Sequence, residues 1–123
     1  MAKHIDFGRN SEEAATNFLQ KKGYRILAKN FRYQKAELDI IAEFEDKIIV
    51  VEVKARSSNF FINPEEAVDK RKMKLILLAT DFYLQENTIE KEVRFDIISI
   101  LQKDNDELEI KHIENAFEAF DIQ

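Results

Sequence analysis

The chain has 123 residues, 45% hydrophobic and 35% charged, with a formal net charge of -5 at pH 7 and no cysteine. That length and apolar share suit one domain over residues 1–123 and exclude wholesale disorder, a disulfide scaffold, a thiol nucleophile and a thiolate metal site. The net acidity argues against a generic nucleic-acid coat, yet Lys54, Arg56, Lys70, Arg71, Lys72 and Lys74 crowd one stretch while acids dominate the C-terminal end, so a local basic surface is compatible with the charge.

The opening MAKHIDFGRN has no apolar signal core, and no later apolar run approaches the roughly 18 residues of a membrane span, so a cytoplasmic protein away from membranes is expected. Residues 11–22 predict a first helix. Asn10 would be its N-cap with Glu13 in a loose capping box, Ala14, Ala15, Phe18 and Leu19 its apolar stripe, and Gly23 its stop. Stepping back along the stripe from Leu19 through Ala15 reaches Glu12, an acid on the core side with no capping duty. Residues 24–33 predict a strand that changes face near Asn30. From Glu37 to Phe44 alternation puts Glu37, Asp39 and Ile41 on one face and Leu38, Ile40 and Ala42 on the other. Glu45 and Asp46 form a hairpin turn, and equal steps outward from it set Asp39 opposite Glu52.

The next strand, IIVVEVKAR from Ile48 to Arg56, opens with four branched apolar residues, the pattern of a strand covered on both faces. Glu52 and Lys54 then share one face and Val51 and Val53 the other. Ionised groups there cost several kcal/mol each unless they meet a partner, a metal ion or an open cleft. Pro64 predicts the first turn of a long, largely buried helix reaching about Glu86. Lys70, Arg71, Lys72 and Lys74 fall in its N-terminal half, where the helix dipole disfavours cations, and so invite an anion or stand as a solvated face. Ahead of it, Phe60-Phe61 is an aromatic pair suited to a substrate or a second subunit. Residues 91–101 predict a strand, 104–106 a turn, 108–113 a shorter strand, and ENAFEAFDIQ a last helical turn packing Phe117 and Phe120. His4 and His112 lack ligand spacing, and Tyr24 and Tyr33 suit packing more than base stacking. The order of helix, three strands, helix and two strands is that of an α/β domain with a mixed sheet.

Glu12, Glu37, Asp39, Glu52 and Lys54 make the candidate site. Mg²⁺ commonly bridges one or two carboxylates to a phosphate. Asp39 and Glu52, with the Val53 carbonyl between the two charged side chains, suit one such ion, which would acidify a bound water. Lys54 would orient that water or offset charge growing on phosphorus. Beside this stand plainer readings: a cross-strand ion pair for Glu52 and Lys54, a solvated strand face for Glu37 and Asp39, and a first-turn charge for Glu12.

Asp39 followed by Glu52-Val53-Lys54 resembles the sparse signature of the PD-(D/E)XK nuclease superfamily. With GRNSEEAA at 8–15, KNFRYQKAELDIIA at 29–42, VEVKAR at 51–56, EEAVDKRK at 65–72 and RFDII at 94–98, the chain resembles the YraN family of bacterial nuclease-like proteins over nearly its whole length. The resemblance implies a restriction-endonuclease-like αβββαβ core with a mixed central sheet flanked by helices. It implies an Mg²⁺- or Mn²⁺-dependent, endonuclease-like phosphodiesterase acting on nucleic acid, DNA favoured. Glu12, Asp39, Glu52 and Lys54 take the catalytic positions, Asp39, Glu52 and Glu12 the metal positions, and Glu37, Arg56 and Lys72 are candidate substrate contacts. Ser11 and Ala36 stand where the family usually has glycine, small replacements that call for backbone adjustment only; Leu38 stands where the superfamily name has proline, a substitution the family itself commonly shows. A binding module for nucleic acid or protein, with little or no catalysis on the same fold, is the alternative, followed by a structural subunit of a larger complex. DNA against RNA, endo- against exonucleolytic cutting, and monomer against homodimer are not separated by these residues.

Overall fold

The computed structural model describes residues 3–57 and 68–118, with side chains from Asn10 onward. The elements are α1 (Lys3–Lys21), β1 (Arg25–Tyr33), β2 (Ala36–Phe44), β3 (Lys47–Ser57), α2 (Lys70–Glu86), β4 (Val93–Gln102) and β5 (Leu108–Phe117). The strands form one sheet in chain order. All neighbours run antiparallel except β3 and β4, which are parallel, so α2 lies in the crossover between them. The result is an α/β fold with a restriction-endonuclease-like αβββαβ core and one antiparallel strand added after it.

The sheet is covered on both faces because β3 is apolar on both. Ile48 and Val50 pack with Ile76 and Ala79 of α2, whereas Ile49 and Val51 pack with Ala15 and Leu19 of α1. Each such fully buried branched side chain contributes about 1.5–3 kcal/mol, which sets IIVV at the centre.

Turns fix how these layers join. At the end of α1 the N–H of Tyr24 donates to the Leu19 carbonyl and that of Gly23 to Gln20, both at 3.0 Å, with Gly23 at φ +92. This is a Schellman closure, and it needs the left-handed conformation that glycine adopts freely. Glu45 and Asp46, at φ +51 and +63 between paired Phe44 and Lys47, make the two-residue turn whose hand matches the strand twist.

Asp96 ties β4 to its surroundings. Its side chain is fully buried and accepts from Arg94 Nε and Nη2 at 2.9 and 2.8 Å and from the Asn115 N–H at 3.0 Å. His112 Nε2 is 2.8 Å from Asp96 Oδ2, and Lys22 Nζ lies 2.7 Å from His112 Nδ1. An ammonium only donates, so Nδ1 is the acceptor and Nε2 carries the hydrogen toward Asp96. Arg94 also donates to the Tyr24 hydroxyl at 2.7 Å, so one carboxylate links β4, β5 and the junction between α1 and β1.

Several sequence expectations are corrected. Helix α1 begins at Lys3 and not at residue 11, so Asn10 is helical and the capping box is absent; Gly8 weakens a helix interior without ending it. In β1 the pairing slips between Ile26 and Ala28 and Asn30 has φ +53, giving the expected change of face. In β2, Leu38 packs on the α2 side together with Ile41, so strict alternation fails around Asp39. Helix α2 starts at Lys70, because Asp69 is extended at φ -83 and ψ 177 and caps it by accepting the Lys72 N–H at 2.9 Å. Residues 114–117 continue β5 in place of a helical turn, with Phe117 opposite Phe95 and their rings 4.9 Å apart. Pro64, Phe60, Phe61 and Phe120 lie outside the described residues. Among the described residues no helix is long and apolar enough to cross a membrane.

Gly23→Ala is expected to destabilise the protein by about 1 kcal/mol, since an L residue resists φ +92 while its Cβ would meet only Phe44 at an ordinary 3.7 Å. Thermal melting should register a loss of several degrees, and an unchanged midpoint would show that this closure contributes nothing.

Candidate active site

The β2–β3 pairing ends at Ile40 opposite Val51. One step further the ladder gives way to a side chain: the Val53 N–H donates to Asp39 Oδ2 at 2.8 Å. The hairpin therefore brings Asp39 and Glu52 together, as equal counting from the turn predicts. Glu52 is only 3% exposed along its side chain, with Oε1 3.4 Å from Lys72 Nζ. Its Oε2 is buried with no hydrogen-bond partner. Lys54, on the same strand face, contacts Lys72 directly. Lys72 sits in the first turn of α2, where the Asp69 cap fixes its backbone. Asp39, Glu52, Asp69 and Lys72 line a cavity of about 440 Å³ together with Lys35, Glu37 and Arg71, and Lys54 reaches it through its contact with Lys72.

Burial governs the electrostatics. Desolvation, aided by the nearby Asp39 charge, lifts Glu52 to about 7. Burial also raises Asp39, against the Val53 hydrogen bond and Lys72, while Glu12 and Glu37 push the same way as burial. Lys54 is pushed down to about 8, first by burial and then by facing Lys72. Lys72 loses charge stability to burial, but Lys54 and Glu52 more than restore it and hold it above the ordinary lysine value. Two ammonium groups in contact do not both keep their protons easily, and Lys54 is the one that yields.

The other sequence-derived candidates lie at different distances from this centre. Glu12 accepts from Asn30 Nδ2 at 3.3 Å and is close enough for its charge to act on Asp39. Glu37 lines the cavity and pairs with Arg32 at 3.0 Å. Arg56 lies further along β3, half-buried, its Nη1 donating to the Ala55 carbonyl at 3.0 Å. Among the described residues no three Asp, Glu or His side chains are gathered tightly enough to hold a metal ion by themselves. The acid pair nonetheless fits a hard cation: Glu52 Oε2 is a buried acceptor without a donor, beside a second carboxylate and an open cavity. Mg²⁺ takes one or two protein carboxylates and completes its shell with water and phosphate.

Sequence reasoning did not find Lys35 and Arg71 as cavity residues, nor the network around Asp96. The RFDII run carried Arg94 and Asp96, but nothing in it pointed to His112, sixteen residues on. A larger cavity of about 860 Å³ lies between α2 and the start of β4, lined by Leu77, Leu84, Phe95 and Phe117 among others. Its Arg94 is already committed to Asp96 and Thr80 to the Ile76 carbonyl, so the uncommitted chemistry is in the smaller cavity.

A family model described as "Uncharacterised protein family UPF0102" matches residues 11–100, which contain every residue of this cavity. A UPF0102 protein of Flavobacterium psychrophilum is 45% identical over 120 residues, covering 98% of this chain and 100% of that protein. One from Parabacteroides distasonis is 46% identical over 119 residues, covering 97% and 98%. One from Persephonella marina is 43% identical over 112 residues, covering 90% and 92%. Their names state no activity.

The raised Glu52 gives a signed prediction. Its proton is held in both states below the unfolded value of 4.5 and is lost from the folded state only near 7, so stability falls as pH rises through that window. Glu52→Gln removes the penalty. In EDTA its unfolding free energy should match wild type near pH 4 and exceed it at pH 8, by on the order of 2 kcal/mol, with the melting point rising accordingly. A variant less stable than wild type at pH 8 would contradict the assignment.

Proposed function

This chain belongs to the uncharacterised protein family UPF0102, and on that premise we propose that it is a metal-dependent nuclease hydrolysing phosphodiesters of nucleic acid, with DNA favoured. The observation that carries the reading is the orphaned, buried Glu52 Oε2 beside Asp39, at an open cavity edged by lysines. Asp39 and Glu52 would hold Mg²⁺ or Mn²⁺, with Glu12 flanking them through Asn30. The ion supplies a Lewis acid for a phosphate oxygen and an acidified water.

The chain's own groups divide the remaining work. Lys54, whose proton is held loosely near 8, would in its neutral amine form accept a proton from the attacking water. Lys72 keeps its charge, balances Glu52 and offers an ammonium to a non-bridging phosphate oxygen. Glu37 would meet the substrate in the cavity and Arg56 further along β3, and Lys35 and Arg71 add positive charge to the cavity lining. A nuclease of this kind meets its substrate in the cytoplasm, where we place it. The second reading is a binding module on the same fold, favoured by the lack, among the described residues, of a third acid or histidine gathered with the pair.

Fluorescent single-stranded, duplex and branched DNA and RNA, incubated with Mn²⁺ or EDTA, test the proposal. Wild type should give products only with metal, and Lys54→Ala should lose about 100-fold in rate. Calorimetric Mn²⁺ binding should vanish in Asp39→Ala and Glu52→Ala. Unchanged Mn²⁺ binding in both variants would sink the metal assignment, and nucleic-acid binding without products would favour the module.

A further inference from the structure

The cavity wall leading away from Asp39 and Glu52 turns apolar. Leu75 of α2 lines the cavity, and Leu78 and Phe82 follow at helical steps of three and four on the same stripe. Leu78 is 44% exposed, a large apolar side chain in water. At the end of the stripe Phe82 stacks on Tyr33 of β1, with centroids 4.1 Å apart and planes 20° from parallel. Tyr33 stands opposite Ala36, which itself lines the cavity, so the stack begins one strand away from it. Both rings keep part of their surface in solvent. From Leu75 to Phe82 the helix rises about 10 Å.

The same face carries cations. Arg71 and Lys74 precede Leu75 and Leu78 by four residues on the stripe, Lys35 sits at the β1–β2 turn, and all three are exposed. Phe82 also stands 6.3 Å from Phe31 with planes 28° apart, so the rings form one partly exposed stack. On a protein with net charge -5, a basic strip beside such a stack is a selective combination. Apolar and aromatic faces suit unstacked bases, and the ammonium and guanidinium groups suit their phosphates. A duplex keeps its bases paired and offers no ring face. A second copy of this chain would bring its own cations against these, and Leu78 is the only large apolar side chain of the strip counted as exposed.

We propose that the β1–α2 face formed by Tyr33, Leu78 and Phe82 is a platform for single-stranded nucleic acid, which leads an unpaired strand into the Asp39–Glu52 cavity. This rests on the nuclease reading for the kind of polymer, while binding is measured apart from cutting. Anisotropy of a fluorescein-labelled oligothymidylate and of a duplex of equal length, in EDTA, reads binding alone. Tyr33→Leu and Phe82→Leu, folded by thermal melt, should each weaken single-strand binding about tenfold and leave duplex binding unchanged. Leu78→Glu, at an exposed position, should do the same without loss of fold. Because binding is read in EDTA apart from cutting, a failure of catalysis leaves the platform standing. Wild-type affinity in both leucine variants would overturn the proposal. So would a wild-type dimer that Leu78→Glu dissociates in sedimentation without changing oligonucleotide affinity, since the face would then belong to a second copy.

Discussion

A buried carboxylate oxygen without a hydrogen-bond donor costs several kcal/mol, and Glu52 places one in the strand on which the whole core is built. The neighbouring structure is arranged to tolerate it. Asp69 caps α2 so that Lys72 arrives beside Oε1, and Asp39 takes the Val53 N–H where the hairpin ladder ends. The apolar runs of β3, clamped between two helices, supply the stability that makes such a site affordable. Destabilised polar groups held in place by a firm scaffold are a usual sign of function.

Asp96 shows by contrast what a structural acid looks like. It lies opposite Val51, next to Glu52's own position in the β3–β4 ladder, yet its environment is the reverse. Burial would raise its proton affinity, but donors from His112, Arg94 and Asn115 hold it below the usual aspartate value. Removing one partner from such a set leaves charge uncompensated. Two neighbouring buried carboxylates are thus separated by the number of donors around them: Asp96 is satisfied and belongs to the fold, whereas Glu52 keeps one oxygen without a donor.

The sheet and its helices were legible because their signals are local and strong. Four branched residues marked β3, a two-residue turn set Asp39 against Glu52, and Gly23 ended α1 as read. Boundaries failed where a neighbour decided them. The stretch before Asn10 gave no stop, so α1 ran on to Lys3. β5 reached Phe117 because Asn115, at φ +53, gives its N–H to Asp96, a contact no local pattern announces. In the site, spacing on one strand revealed Glu52 and Lys54, and the motif resemblance added Lys72. Lys35 and Arg71 stayed hidden, since their place at the cavity depends on how α2 and the β1–β2 turn close over the sheet.

Strand order that follows chain order has a kinetic side. β1, β2 and β3 meet through two-residue turns, contacts of short sequence separation and small loop-closure entropy. β4 alone among the strands reaches its partner through a long excursion, the one that contains α2. The like-charged pair Asp39 and Glu52 is therefore assembled by the quick part of the topology, and Lys72 is delivered by the slow part. Until the crossover closes, the two acids face each other without Lys72, with Lys54 of their own hairpin as the nearby cation.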